Sequence, residues 1–363
     1  MNNTMNIQII DVSNPLWSDT LQNLRHDFYH LPEYVALEAK RMKAVAEAIF
    51  IQDDDKIFFL PYLLRRCDDV FSEDLKASDI FDVLSPYGYP GILLNDAGLE
   101  NPEFISLVMA QLAQTFKHRR ICSAFLRLHP ILNDHFERIY PSPTCKIHSE
   151  TIAIDLNLTE AEIWHQTRPE HRTKINKCKR NGFVARIAPL DRYLHDFLDI
   201  YTETMTRVGA SQSYYFSREY FWHFVEALKQ SLHLCIVERD RQVVCAGLFT
   251  ERCGIVQYHL GGTRSEFLKF SPSTLMFNYV RYWAKERGNK VFHLGGGVGG
   301  AQDSLHHFKV GFSRQRYNFP LIRLITDEET YMYLVDLQAK LLNTQVNQLL
   351  TTNFFPVYRS LSV

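Results

Sequence analysis

A single lysine, Lys309, follows a glycine run and stands beside a phenylalanine in Phe308-Lys309-Val310-Gly311-Phe312. The run is Gly295, Gly296 and Gly297, with Gly299 and Gly300 behind it. Upstream, a strand-like segment ends in Tyr258-His259-Leu260-Gly261-Gly262-Thr263, and Phe270-Ser271-Pro272-Ser273 heads a helical pattern. These parts suit one chemistry. A helix start leaves backbone N–H groups free for an anion, which makes Ser271 and Ser273 candidate substrate contacts. Glycine at a strand end lets a ligand approach the backbone, so Gly295, Gly296 and Gly297 are candidates as well. A lone lysine supplies the positive charge that a phosphate or a developing oxyanion requires. Strand, helix start and glycine loop are expected to converge on one cleft.

Gly295, Gly297 and Gly300 formally fit G-x-G-x-x-G. A dinucleotide site also needs a helix launched from the third glycine and an acid about 20 residues on. The region around Phe319-Pro320 offers no such acid, and no G-K-[ST] marks a phosphate loop. The run is therefore either a plain loop or a loop laid against substrate. Residues 168–180 hold six Lys or Arg, Arg172 and Lys177 among them, against the single acid Glu170. That density fits a solvated helix face or a surface for phosphate or RNA backbone. Ser85-Pro86-Tyr87-Gly88-Tyr89-Pro90-Gly91 is either a rigid turn with packed rings or an aromatic wall, Tyr87 and Tyr89, of an acceptor pocket. His306 and His307 are adjacent and point apart, and no histidine pair has convincing zincin spacing, so no metal site is expected. Without a G-x-S-x-G elbow or a legible Cys/His pair, a covalent mechanism has little support.

The elements that must position these residues read as mixed α/β. Helical patterns cover 17–30, 33–43 and 102–117, with strands at 44–51, 56–65 and 121–128. The second half has strands at 151–156, 183–187, 232–238, 242–250, 254–260, 290–294 and 316–325. Helices are expected at 158–167, 191–207, 218–230, 272–287 and 331–350. The helix from Pro272 has proline near its start and Gly288 past its end, and Leu275, Met276, Tyr279, Val280 and Trp283 form its expected core stripe. In both halves a helix pair precedes an antiparallel meander, then a helix and a strand. Duplication is inferred from that rhythm alone, with the boundary near residues 141–144.

The chain has 363 residues, enough for two domains, and a formal net charge of −1, so any anion site must be local. Seven cysteines without a C-x-x-C pair fit a reducing compartment rather than a disulfide framework. The N-terminus Met1-Asn2-Asn3-Thr4 lacks a basic region followed by an apolar run, so no signal peptide is expected. No apolar stretch approaches the roughly 18–20 residues needed to span a bilayer. A cytoplasmic protein is expected.

Leu260-Gly261-Gly262-Thr263, the Ser271-Pro272-headed helix, Phe292-His293-Leu294-Gly295-Gly296 and Phe308-Lys309-Val310-Gly311-Phe312 resemble the C-terminal half of the FemABX-like, peptidoglycan bridge-forming acyltransferases. Glu170-His171-Arg172-Thr173-Lys174-Ile175-Asn176-Lys177 with Gly182 is similar to the opening of their second domain, and residues 85–91 resemble a loop of their first. The likeness is strongest over about 151–325. It implies two tandem GNAT-like domains, each a mixed central sheet flanked by helices. Residues 1–145 would form the acceptor side, 146–330 the acyl-transfer cleft, and 331–363 a C-terminal helix and tail.

The resemblance also implies N-acyl transfer to an amine of a cell-envelope precursor. Aminoacyl-tRNA or acyl-CoA would be the co-substrate, with no tightly bound cofactor, no DNA and no membrane span. Phe308 and Lys309 match the family's Phe-Lys pair, whose lysine helps bind the donor and stabilise its transition state. The chain departs from the family in lacking the coiled-coil arm of some tRNA-using members. It also lacks a Q/R-x-x-G-x-G/A pyrophosphate loop before the Pro272 helix, which argues against ordinary acetyl-CoA binding there. Direct attack by a neutral amine fits, the proton leaving through water, the donor, or a side chain such as His259 or Tyr258. The alternatives are a CoA-dependent acetyltransferase of polysaccharide or nucleotide-sugar synthesis and a catalytically silent RNA-binding module of the same fold.

Overall fold

The computed structural model describes residues 5–68 and 79–360. Residues 1–4, on which the signal-peptide expectation rests, lie outside the described residues. The chain divides into two compact units, Met1–His148 with Asn318–Val363, and Ser149–Tyr317.

The chain opens with β1 (Asn6–Asp11), α1 (Pro15–Asn23), α2 (Pro32–Met42), β2 (Val45–Asp53), β3 (Lys56–Arg66), β4 (Phe81–Leu84) and the short β5 (Leu93–Leu94). Next come α3 (Asp96–Leu99), α4 (Pro102–His118), β6 (Ile121–Arg127) and α5 (Phe136–Ile139). β7 (Cys145–Asp155) carries the chain into the second unit, followed by α6 (Glu160–Gln166), α7 (Pro169–Arg180), β8 (Val184–Ala188), α8 (Leu190–Arg207) and α9 (Arg218–Leu228). The meander β9 (Leu232–Arg239), β10 (Gln242–Arg252) and β11 (Ile255–Thr263) leads to α10 (Pro272–Glu286), β12 (Val291–Gly295) and α11 (Ser304–Val310). β13 (Arg316–Ile325), α12 (Glu328–Leu341) and α13 (Val346–Leu350) return to the first unit.

Within the first unit the strand order is β1-β2-β3-β4-β6-β13, antiparallel except for the parallel pair β4 and β6. Within the second it is β8-β9-β10-β11-β12-β7, again with one parallel pair, β11 and β12. The rhythm read from the sequence is therefore the same path traced twice: strand, two helices, three antiparallel strands, helix, parallel strand. The last strand of each is drawn from across the chain. The strand after β6 lies beside β12, and the strand after β12 lies beside β6.

Local sequence explains the turns. Asp240 and Arg241 join β9 to β10 with φ of 51° and 67°, the mirror-image turn that suits the twist of a hairpin. α10 starts at Pro272 and stops before Gly288, at φ 80°. Phe277 and Ala284 belong to its core face with Leu275, Met276 and Val280. Tyr279 and Trp283, expected in that stripe, are only partly buried at the margin of the core, and α7 packs on the helix as well. Two expected helices are shorter than read. Residues 17–30 hold α1 and then a single turn at Phe28–His30 capped by Asp27, and 331–350 breaks at Asn343, at φ 48°.

α4 supplies Phe104, Val108, Leu112 and Phe116 to the first unit's core, against Ile49, Phe58 and Leu60. Among the described residues no helix is long and apolar enough to cross a membrane, and no group of three His, Cys, Asp or Glu could hold a metal.

Candidate active site

The parallel strands β11 and β12 are paired only at Ile255↔Val291, Val256↔Phe292 and Gln257↔His293. Beyond that point β11 follows β10 to Thr263 while β12 follows β7, with Gly295 opposite Ile152. The two strands part at their carboxyl ends, where open α/β sheets take their ligands. A buried wedge fills the base of the fork. His293 Nδ1 bonds Gln257 Oε1, Gln257 Nε2 donates to the Tyr258 carbonyl at 2.8 Å, and His293 Nε2 lies 2.9 Å from Thr151 Oγ1. Because the amide nitrogen is committed to a carbonyl, the Gln257 oxygen accepts. His293 then carries its proton on Nδ1 and accepts from the Thr151 hydroxyl.

Lys309 stands in the opening of the fork. Its Nζ donates to the Gly296 carbonyl at 2.6 Å and lies 5.6 Å from the centre of the Tyr258 ring. The residue is 5% exposed. Burial pushes its pKa down to about 7, with Asp303 opposing the fall. Near neutral pH this lysine therefore exchanges readily between ammonium and amine, and as the ammonium it has N–H groups beyond the one held by Gly296.

The helix that carries Lys309 is fastened at both ends. Asp303 caps it, accepting from the His306 N–H at 2.8 Å and, across the glycine loop, from the Val298 N–H at 3.0 Å. Burial works against the charge on Asp303, yet the N–H groups of His306, Val298 and Leu305 hold its carboxyl below the usual range. Gly297 is required where the loop closes: a Cβ there would sit 1.9 Å from the Ala301 carbonyl oxygen. At the other end the Arg168 N–H donates to the Gly311 carbonyl at 2.8 Å, and His171 Nε2 lies 2.9 Å from the Phe308 carbonyl. Burial lowers the His171 pKa, so the neutral ring donates that bond. Phe308 packs between His171, Phe312 and Phe277 and sets the rotation of α11.

The structure thus brings Lys309, Phe308, Tyr258 and Gly296 together, with Gly295 and Gly297 on the same loop. His259 does not join them. Successive residues of a strand face opposite ways, and while Tyr258 packs on Phe277, His259 stacks on Phe224 of α9. Burial also pushes the His259 pKa down to about 3, which makes it a poor proton acceptor. Ser271 takes the left-handed conformation, at φ 55°, and its carbonyl rather than its side chain caps the first turn of α10. Neither Ser271 nor Ser273 hydrogen-bonds to Lys309 or the glycines, and the end of α7 covers this helix start, Cys178 Sγ donating to the Phe270 carbonyl at 3.0 Å.

Arg172 and Lys177 lie on α7, which buries His171, Ile175 and Cys178 and turns its basic residues outward. Among the described residues none of Arg172, Lys174, Lys177, Lys179 and Arg180 pairs with a carboxylate.

Tyr87 and Tyr89 belong to the first unit. Tyr34 Oη donates to the Tyr87 carbonyl at 2.8 Å, the Tyr87 N–H donates to Glu38 at 3.2 Å, and Tyr89 packs on Tyr29 and Phe319. Gly88 lies so close to Tyr29 that a Cβ would come within 2.1 Å of the ring. Beside this loop the Arg127 guanidinium is held below its usual pKa by burial and makes no hydrogen bond among the described residues.

Sequence reasoning gave His293 no role beyond its place in Phe292–Gly296 and missed Gln257 and Thr151, since the three meet only through strand register. It also left His306 aside, having tested it solely as a metal ligand; its carboxylate partner lies 156 residues away in the chain.

Residues 165–309 match the acetyltransferase (GNAT) domain family. The matched stretch lies inside the second unit. No curated protein matches the chain. Among solved structures, that of FemX aligns with 90% of this chain and 99% of its own at a TM-score of 0.67 and 12% identity. The C-terminal domain of a putative lysylphosphatidylglycerol synthetase from Agrobacterium fabrum aligns over 89% of this chain and 94% of its own, with a TM-score of 0.55 and 10% identity. A conserved protein of unknown function from Bacteroides thetaiotaomicron gives 0.53 at 13% identity, over 88% of this chain and all of its own. At these identities the likeness establishes the fold: α/β and GNAT-like, a mixed sheet flanked by helices.

Proposed function

We propose that this chain is an N-acyltransferase that moves an acyl or aminoacyl group from an activated ester or thioester to an amine of a cell-envelope precursor. The observation that carries the reading is the position of Lys309, buried in the fork between parallel strands β11 and β12, against Gly296 and Tyr258. A donor carbonyl placed at that fork would meet the ammonium as its oxygen becomes negative. One preorganised donor in a site closed to water is worth about 10²–10³ in rate. The remaining acceleration would come from holding donor and amine together, worth about 7–11 kcal/mol in well-oriented systems. In this reading each unit is a GNAT-like domain, the second performing transfer and the first recognising the acceptor. The rings of Tyr87 and Tyr89, with the Arg127 guanidinium beside them free of hydrogen bonds among the described residues, suit an acceptor that offers both an apolar face and an anionic group.

The cations of α7, exposed at Lys174, Lys177, Lys179 and Arg180 and without a carboxylate partner among the described residues, favour a polyanionic carrier, aminoacyl-tRNA, over CoA. Thermal shift of the full chain with acetyl-CoA and with charged tRNA separates the two. Stabilisation by tRNA that fades steeply with salt is expected, and stabilisation by acetyl-CoA alone would instead support a CoA-dependent acetyltransferase. RNA binding with no turnover of any donor would support the silent binding module.

A further inference from the structure

His306 lies three residues before Lys309 and so on the same face of α11. Its Nε2 is 3.1 Å from Oε1 of Glu150 on β7, and Arg316 Nε approaches the same oxygen at 3.5 Å. Glu150 in turn borders the glycine loop. Its carbonyl oxygen is 3.0 Å from where a Cβ on Gly296 would project, and the Gly296 carbonyl is the one that holds Lys309. Carboxylate, imidazole, lysine and glycine loop therefore form one contiguous patch. A carboxylate can only accept, so the neutral His306 ring carries its proton on Nε2 and leaves Nδ1 bare. Nδ1 makes no hydrogen bond among the described residues, yet it is not one of the polar atoms sealed in without a partner. The residue as a whole is 9% exposed. One nitrogen held by a carboxylate and the other open is the arrangement of an oriented proton acceptor.

We propose that His306, oriented by Glu150, is the general base of the transfer reaction, taking at Nδ1 the proton that the attacking amine must lose. The assignment rests on the acyl-transfer reading above. The amine nitrogen forms a bond to the donor carbonyl carbon, the carbonyl oxygen takes up negative charge beside Lys309, and the N–H proton passes to His306. Collapse of the intermediate breaks the bond from carbon to the carrier oxygen or sulfur, and the imidazolium returns the proton to that leaving atom. Glu150 steadies the imidazolium while it lasts, and Arg316 holds Glu150 in place. Lys309 and His306 then divide the work, one holding charge and the other moving the proton. This supplies the acceptor that His259, on the opposite face of β11, does not.

Two measurements on the full chain test it. Long-range ¹H–¹⁵N spectra of histidine-labelled protein, assigned with H306Q, should find His306 protonated at Nε2 and bare at Nδ1, and the reverse tautomer would overturn the proposal. The second assay uses acetyl-CoA and aminoacyl-tRNA as donors and a nucleotide-linked muropeptide as acceptor. H306Q should lower kcat by about 10²–10³-fold with KM within about twofold, and added imidazole should restore part of the rate. E150Q, which keeps the shape of the pair, should show a smaller fall in kcat. Wild-type turnover with H306Q unimpaired, or impaired only through KM, overturns the base role alone. If the wild type transfers from neither donor, the acyl-transfer reading fails and the base role with it.

Discussion

Replacing Lys309 with methionine should stabilise the folded chain at neutral pH and abolish transfer. The lysine is 5% exposed and its pKa falls from 10.5 to about 7 on folding. At about 1.4 kcal/mol per pH unit, that fall means that about 5 kcal/mol of stability is withheld below pH 7. Between about pH 7 and 10.5 the unfolded chain binds the extra proton, so wild-type stability must rise with pH through that window. Methionine fills the same space without a charge but gives up the hydrogen bond to Gly296, worth about 1.5–3 kcal/mol. The net expectation is a variant about 2–3 kcal/mol more stable than wild type at pH 7. By pH 10 this advantage should shrink by about 3 kcal/mol and vanish or reverse. Urea unfolding of both proteins at pH 7 and pH 10, followed through the transition that the substitution moves, measures the difference. A gap that does not change with pH, or a methionine variant less stable at pH 7, would refute the idea that Lys309 is held desolvated for function.

Gly297→Ala should force the loop away from Ala301 and Asp303, lowering transfer at least tenfold and stability by about 1–3 kcal/mol, read by kinetics and thermal melts. Neutralising Lys174, Lys177, Lys179 and Arg180 together should weaken tRNA binding. It should also flatten the plot of log affinity against log salt by about 3, at about 0.7–0.9 for each phosphate left without its cation, and leave the melting temperature in the absence of RNA unchanged. In the first unit, Asp82 is buried between Arg65, Tyr358 and Arg359, 2.8 Å from the Arg65 guanidinium. Asp82→Ala leaves buried guanidinium charge unpaired and should cost about 3–5 kcal/mol in urea unfolding.

Much of the second unit was legible because its signals are local. Pro272 and Gly288 bracket α10 within a residue, and the strands expected at 232–238 and 242–250 fall on β9 and β10. β1 escaped notice because five of its six residues are exposed or half-exposed, which erases the apolar alternation that marks a strand. Nothing in residues 316–325 or 145–155 tells which strands each will pair with, since register depends on partners elsewhere in the chain.

The site follows the same division. Lys309, Phe308 and the glycines announce themselves by spacing, whereas the fork needs the register of β11 against β12, and the Glu150–His306 contact needs β7 beside it. His259 and Tyr258 are neighbours in sequence, yet the pleat of β11 sends them to opposite faces, and only Tyr258 meets Lys309.

Transfer by the purified full chain, wild type against Lys309→Ala, from charged tRNA and from acetyl-CoA to a nucleotide-linked muropeptide, bears most directly on the function. The wild type should acylate the acceptor amine, and Lys309→Ala should keep its fold while kcat falls about 10²–10³-fold. Equal turnover by the two proteins would contradict the placement of the reaction at the fork of β11 and β12.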